Sequence, residues 1–174
     1  MQIRSASLAD LPGITAIYND VLASSTAIYA DTPSTLEARR EWWESRRKAG
    51  YPVLVAAEGA DVQGFASFGD FRSWPGYRYT VEHTVHIRAD CRRKGVGSAL
   101  VVALFAPALA LGKHAMIGGI DADNDASIRM HARLGFEKVA QLPEVGRKFG
   151  RWLDTVYLQR SLGVGDKEPP RNEP

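Results

Sequence analysis

Cysteine is almost missing from this chain. The one copy, Cys91, excludes an intramolecular disulfide and a multi-cysteine zinc site. Such usage suits a reducing cytoplasm, which is the expected location. Long apolar runs are missing too: the most apolar stretch, 99–111, is too short to span a bilayer and contains Pro107. Met1-Gln2-Ile3-Arg4-Ser5 lacks a basic segment leading into an apolar run, so no signal peptide is expected. Neither sign of charge dominates. The 22 Lys and Arg against 20 Asp and Glu leave a formal net charge of +2, so neither a nucleic acid nor a membrane is an expected partner. No internal repeat is found. The 174 residues fit one domain, read as 1–162, with a tail at 163–174 rich in Gly, Pro and charge and expected to lack fixed structure.

What is present is ordinary for a globular chain, with 45% hydrophobic and 24% charged residues. Residues 3–6 read as a strand. Ser7-x-x-Asp10 resembles a capping box opening a helix over 9–23, with Pro12 tolerable in its first turns. Ser34-x-x-Glu37 opens a second helix that runs to about residue 48 and closes at Gly50. The apolar segments 53–57 and 63–68 flank Glu58-Gly59-Ala60-Asp61 as a hairpin, and 79–88 is a third β segment. A helix follows at 96–111, which Pro107 should kink or end early. Then come a strand at 115–121, a helix at 126–134 closed by Gly135, and a strand pair at 136–141 and 155–159 joined by a Gly- and Arg-rich loop. The order β-α-α-β-β-β-α-β-α-β-β predicts an α/β fold, a mixed sheet with helices on both faces. Trp42 and Trp43 read as helix packing. His83-x-x-His86 is a poor metal motif, because an ideal strand points the two rings to opposite faces.

Arg92-x-x-Gly95-x-Gly97 sits between a strand and a helix. Glycine there lets the backbone turn tightly and approach a ligand, and the helix start offers unpaired N–H groups at its positive end. Arg92, Arg93 and Lys94 add charge, and the set suits a pyrophosphate. It is not a Walker loop, since the Gly-Lys-Ser/Thr ending is missing, and it lacks the third glycine of a dinucleotide fold. Taken alone, it reads equally well as a basic turn with a glycine cap.

A second landmark changes that balance. Asn124-x-x-Ser127 begins the later helix and Leu134-Gly135-Phe136 ends it. With the Arg92–Gly97 segment, this resembles the GNAT superfamily of N-acetyltransferases. More narrowly, the chain resembles the phosphinothricin and methionine sulfoximine/methionine sulfone acetyltransferases over about residues 3–162. That likeness rests on Ala16-Ile17-Tyr18-Asn19, Gly69-Asp70-Phe71-Arg72, Thr80-Val81-Glu82-His83-Thr84-Val85 and Val145-Gly146-Arg147-Lys148-Phe149-Gly150-Arg151-Trp152. The resemblance implies the GNAT acyl-CoA N-acyltransferase fold and acetyl-CoA as cosubstrate, with no metal. It implies a small amino-acid-like acceptor, whose acetylation would detoxify it, and a homodimer.

Acetyl transfer to an amine needs a deprotonated amine, a polarised thioester and a departing thiolate. Glu82 is the candidate base. A carboxylate in an apolar strand needs a partner or a purpose, and a structural ion pair is the plain alternative. The resemblance places the matching Glu near the acceptor amine. It places the backbone of Val85, His86 and Ile87 along the pantetheine arm, and gives cofactor contacts to Arg92, Arg93, Lys94, Gly95, Val96, Gly97, Ser98, Asn124 and Ser127. His131 stands where many members carry Tyr as the acid for the thiolate, and imidazole can do proton work near neutral pH. Arg72 is the candidate for an α-carboxylate, which Arg binds bidentately. By resemblance Ser73 and Trp74 line the acceptor pocket with Glu82, His83 and Thr84, while Lys148 and Phe149 close it from the same or a second subunit. Cys91 reads as structural. Acetylation of another amine and a non-catalytic acetyl-CoA sensor both stay open.

Overall fold

The computed structural model describes residues 1–163, so the expected tail beyond Gly163 lies outside the described residues. The described residues contain seven strands and four α-helices in the expected order. These are β1 (Gln2–Ser5), α1 (Leu11–Ser24), α2 (Leu36–Lys48), β2 (Val53–Glu58), β3 (Asp61–Asp70), β4 (Thr80–Ile87), α3 (Val96–Ala110), β5 (Ala115–Asp121), α4 (Asp125–Arg133), β6 (Glu137–Lys148) and β7 (Arg151–Ser161). The strands form one mixed sheet in the order β1-β2-β3-β4-β5-β7-β6. The chain divides into two compact units: Met1–Ser67 with Thr84–Leu104, and Phe68–His83 with the chain from Phe105 onward.

In the first unit β1 pairs antiparallel with β2, and β2 with β3 across the two-residue turn Gly59-Ala60. Gly59 has φ 59°, which a glycine adopts without steric cost. Leu11, Ile14, Ile17 and Val21 recur at helical spacing along α1. They bury one face against Val53, Val55, Val62 and Phe65, with Trp43 of α2 in the same core and Trp42 packed against it. Both tryptophans are therefore packing residues, as their sequence context implied.

Helix caps explain most boundaries, and one lies a residue away from its expected place. Thr35, not Ser34, caps α2, its Oγ1 accepting from the Ala38 N–H at 3.1 Å. The Ser34 side chain is occupied elsewhere, its Oγ accepting from Arg39 Nη2 at 3.2 Å, while Asn19 Nδ2 donates to the Ser34 carbonyl at 3.0 Å and the Ser34 N–H donates to Asn19 Oδ1 at 2.8 Å. Gly50 at φ 75° ends α2 as expected, with Tyr51 N–H on the Arg46 carbonyl and Gly50 N–H on the Arg47 carbonyl. Pro107 does not shorten α3, which continues to Ala110. It falls in the last turn, and the helix closes beyond it at Gly112, φ 70°.

Asp10, at the entry to α1, is buried and accepts four hydrogen bonds. Arg4 Nη1 and Nη2 donate at 2.8 and 2.7 Å, and Ser7 N–H and Oγ at 2.7 and 2.8 Å. The Arg4 hydrogen bond, helped by Ser7, holds the carboxyl down at about 2 despite burial. A folded value below the unfolded one stabilises above the usual carboxylate range, and the gain is lost as pH falls toward 2. Asp10→Ala is expected to cost about 2 kcal/mol at pH 7. Urea titrations repeated at pH 7 and near pH 2 should show that loss shrinking with acidification.

The second unit carries β5, β7 and β6. β4 joins β5 in parallel over Thr80–Glu82 against Ala115–Ile117, and β7 runs antiparallel along the whole of β5. The final hairpin is much longer than its apolar segments suggest. The expected Gly- and Arg-rich loop is strand: Gly146↔Leu153, Arg147↔Trp152 and Lys148↔Arg151 are paired. A two-residue turn makes this possible, with Phe149 at φ 49° and Gly150 at φ 76°, the handedness that matches strand twist.

Candidate active site

In the first unit, residues 92–95 turn from β4 into α3. Arg93 at φ 63° and Gly95 at φ 82° make the turn left-handed at two points. A side chain at Gly95 would meet nothing, so what this glycine supplies is conformation rather than space. Arg92, Arg93 and Lys94 are exposed, and Arg92 Nε holds the Ile87 carbonyl at 3.3 Å. Val96, Gly97 and Ser98 form the first turn of a 15-residue helix, with three backbone donors and the positive dipole end facing the loop. The arrangement fits an extended phosphate anion. Cys91 is buried beside Arg88 and Asp90, away from that role.

The same unit holds the end of β4. Burial alternates from Val81 to Thr84, then Val85, His86 and Ile87 are all half-buried. His86 lies edge-on to Tyr18 with centroids 6.2 Å apart, and 5.3 Å from Phe65. Burial, and then the Arg39 cation, push its imidazole down to about 4, so it is neutral at physiological pH. Its side chain is spent on packing, which leaves its backbone as the part available to a ligand.

In the second unit, Glu82 is half-buried on β4. Burial raises its carboxyl above the usual range, and the Arg72 charge partly opposes this. Arg72 is exposed on loop 71–79, with its guanidinium 5.0 Å from the Phe71 ring. Phe71 in turn stands edge-on to Tyr77 and Tyr157. Ser73 is exposed, as is Trp74 at 72%, and so is Thr84, where the first unit resumes. The Arg72 charge thus lies within electrostatic reach of Glu82.

His83 points to the opposite face and is buried. Its Nε2 lies 3.2 Å from His131 Nε2, and the two rings stack with both set against Phe136. His131 Nδ1 is 2.8 Å from the Ser127 carbonyl, which can only accept, so Nδ1 carries the proton. Burial lowers its pKa, and in the neutral ring Nε2 then accepts from His83 Nε2–H. Asn124 Oδ1 caps α4 by accepting from the Ser127 N–H at 3.1 Å. Lys148 is buried with its ammonium 4.8 Å from the ring of Phe149, which is 60% exposed at the hairpin tip.

Two glycines that the sequence reading passed over complete this arrangement. A Cβ at Gly118 would lie 2.9 Å from His83 Nε2, and one at Gly119 would lie 2.9 Å from Glu82 Oε1. Adjacent strand residues face opposite ways, so the pair clears space for both β4 side chains. The Gly-Gly within an otherwise apolar strand was the available signal. Gly118→Ala is expected to lower stability by about 1–3 kcal/mol, because His131 and Phe136 hold the His83 ring in place. Gly119→Ala should leave the melting temperature nearly unchanged while lowering activity, because a carboxylate can swing aside. Scanning calorimetry beside a rate assay separates the two.

Among the described residues no cluster of three His, Cys, Asp or Glu could hold a metal ion. No helix among them is long and apolar enough to cross a membrane.

Residues 14–136 match the acetyltransferase (GNAT) family. The chain belongs to the GNAT family of acetyltransferases. It is 49% identical over 173 residues to the L-methionine sulfoximine/L-methionine sulfone acetyltransferase of Pseudomonas paraeruginosa, covering 99% of this chain and 98% of that one. A Salmonella typhimurium acetyltransferase solved with acetyl-CoA is 46% identical, with TM-score 0.92 and 95% of each chain covered. A phosphinothricin acetyltransferase from Sinorhizobium meliloti, in complex with acetyl-CoA, is 36% identical with TM-score 0.93, covering 97% of this chain and 92% of the other. This GNAT chain is accordingly an N-acetyltransferase.

Proposed function

We propose that this enzyme transfers the acetyl group of acetyl-CoA to the α-amino group of methionine sulfone, methionine sulfoximine or phosphinothricin, and so detoxifies them. The observation that carries the reading is Glu82: a half-buried carboxyl of raised pKa, coupled to Arg72 and given room by Gly119. Arg72 meets the acceptor's α-carboxylate through two parallel hydrogen bonds. Glu82 takes the proton from the acceptor ammonium, directly or through a water, and its raised pKa brings it closer to the pH at which it works. The 92–98 loop holds the pyrophosphate of acetyl-CoA. The backbone of Val85, His86 and Ile87 orients the pantetheine arm and polarises the thioester. The amine nitrogen bonds to the thioester carbonyl carbon, the C–S bond breaks, and CoA leaves as its thiolate, which takes the nitrogen's remaining surplus proton through water. His131, with both ring nitrogens engaged by Ser127 and His83, seats His83 and through it the strand that bears Glu82.

The reading extends to one catalytic domain over 1–162, a cytoplasmic location, and a homodimer. Support for the dimer is the exposed apolar set on the last hairpin, with Val145 at 56%, Phe149 at 60% and Trp152 at 58% exposure. Ser73 and Trp74 line the acceptor side, and Lys148 with Phe149 closes it. A polyamine acceptor is disfavoured, because the loop carrying Arg72 also carries Arg78 where a cationic substrate would want acids. The test is a panel of amino acids, amino-acid analogues, polyamines and peptides incubated with acetyl-CoA, following thiol release and product mass. N-acetylation of methionine sulfone or its analogues supports the reading. Transfer to none of the amino-acid-like acceptors would overturn it.

A further inference from the structure

Loop 71–79 is exposed along most of its length, yet it must hold Arg72 in one place. Its own hydrogen bonds are local: Tyr77 N–H on the Trp74 carbonyl, Arg78 N–H on the Pro75 carbonyl, and Arg78 Nε on the same carbonyl at 2.7 Å. These shape the turn at Pro75–Tyr77, while Phe71 N–H on the Thr80 carbonyl at 3.3 Å and the Phe71 ring against Tyr157 anchor the entry side of the loop. The exit side is tied by the short connection between α3 and β5. Gly112 turns the chain, and Lys113 N–H returns to the Ala108 carbonyl at 3.0 Å. This aims the Lys113 side chain at the loop, where Nζ donates to the Arg78 carbonyl at 2.6 Å. Asp70, the last residue of β3 and the entry to the loop, lies close enough for its charge to act on the same ammonium. Next to it, His114 N–H donates to the Tyr79 carbonyl at 2.7 Å.

Lys113 is half-buried, and burial works against its charge. A lysine held in such a place, with one end of the loop as acceptor and the other as counter-charge, is positioned rather than merely solvated. We infer that Lys113 is a positioning residue for the acceptor site: its ammonium clasps both ends of loop 71–79 and so determines where Arg72 stands. The inference rests on the reading that Arg72 binds the acceptor's carboxylate. Lys113 touches no reacting atom, so its removal acts on acceptor affinity rather than on the chemical step. Its loss also frees a backbone segment with two arginines, Arg72 and Arg78, at which trypsin can cut.

The experiment compares the full-length wild type with Lys113→Met and Lys113→Arg. Lys113→Met should raise the KM for methionine sulfone about tenfold, leaving kcat within about twofold and the KM for acetyl-CoA unchanged. Brief trypsin treatment read by mass spectrometry should show faster cleavage after Arg72 and Arg78 only. Lys113→Arg, which keeps a charged donor, should restore both measures most of the way. Unchanged acceptor KM and unchanged loop cleavage in Lys113→Met would overturn the inference. So would equal losses for both substrates with faster cleavage along the whole chain, the mark of general destabilisation. Wild type inactive on every amino acid, with loop cleavage still quickened in Lys113→Met, would uphold the clasp and refute the acceptor reading.

Discussion

Glu82→Gln is expected to lower kcat/KM for methionine sulfone by about 10²–10⁴-fold, the usual worth of a positioned general base. The loss should fall on kcat, because glutamine keeps the shape and a hydrogen-bonding oxygen but cannot take the ammonium proton. The pH profile makes the test sharper. Burial raises the Glu82 carboxyl, so the acidic limb of the wild-type profile should lie above the ordinary carboxylate range. In Glu82→Gln that limb should disappear. Stability moves the other way. A folded value above the unfolded one stabilises below the usual carboxylate range, and the gain is lost as pH rises through the raised value. At pH 8 the ionised Glu82 therefore costs stability, and Glu82→Gln should melt no lower than wild type. An inactive variant that also melts early would point to misfolding rather than to a lost base. A fully active one would remove Glu82 from the mechanism.

Arg72→Ala is expected to reduce kcat/KM for the amino-acid acceptor about 10²-fold, mostly through KM, since one partner of a charge pair is removed. It carries a second, independent signature. The Arg72 charge holds the Glu82 carboxyl lower than burial alone would. Without it the carboxyl rises further, and the acidic limb of the activity profile should move to higher pH. Arg72→Lys separates the two effects. A lysine keeps the charge near Glu82, so the limb should stay close to wild type, but it lacks the planar fork and should not restore KM. Unchanged KM and an unmoved limb in Arg72→Ala would leave Arg72 as a surface residue stacked on Phe71.

Much of this molecule was legible without its fold because the relevant rules are local. Strand and helix order followed from periodicity and caps, and Gly50, Gly135 and Asn124 end or begin helices as glycine and asparagine usually do. The turn at 92–95 before α3 was readable because glycine marks the left-handed position that the structure shows at Gly95. Local rules failed where a distant residue intervened. Thr35 caps α2 in place of Ser34, whose backbone is held by Asn19, 15 positions earlier. The strand character of 142–148 depends on Phe149 adopting a left-handed conformation, for which a phenylalanine gives no signal. Pro107 lies inside α3, which nonetheless continues to Ala110.

The site divides in the same way. By itself the sequence determined which chemical groups are present: the carboxylate Glu82, the guanidinium Arg72, the basic glycine turn 92–97 and the imidazole His131. Only the tertiary structure decided how they are arranged. It turned His83 and His131 toward each other across 48 positions, opposite to Glu82 along the strand. It set Gly118 and Gly119 beneath the two β4 side chains, and Lys113 against Arg78 across 35 positions. Residue type and spacing along one element are properties of a short segment of chain. Which face of one strand meets which residue of another depends on register and packing over the whole sheet.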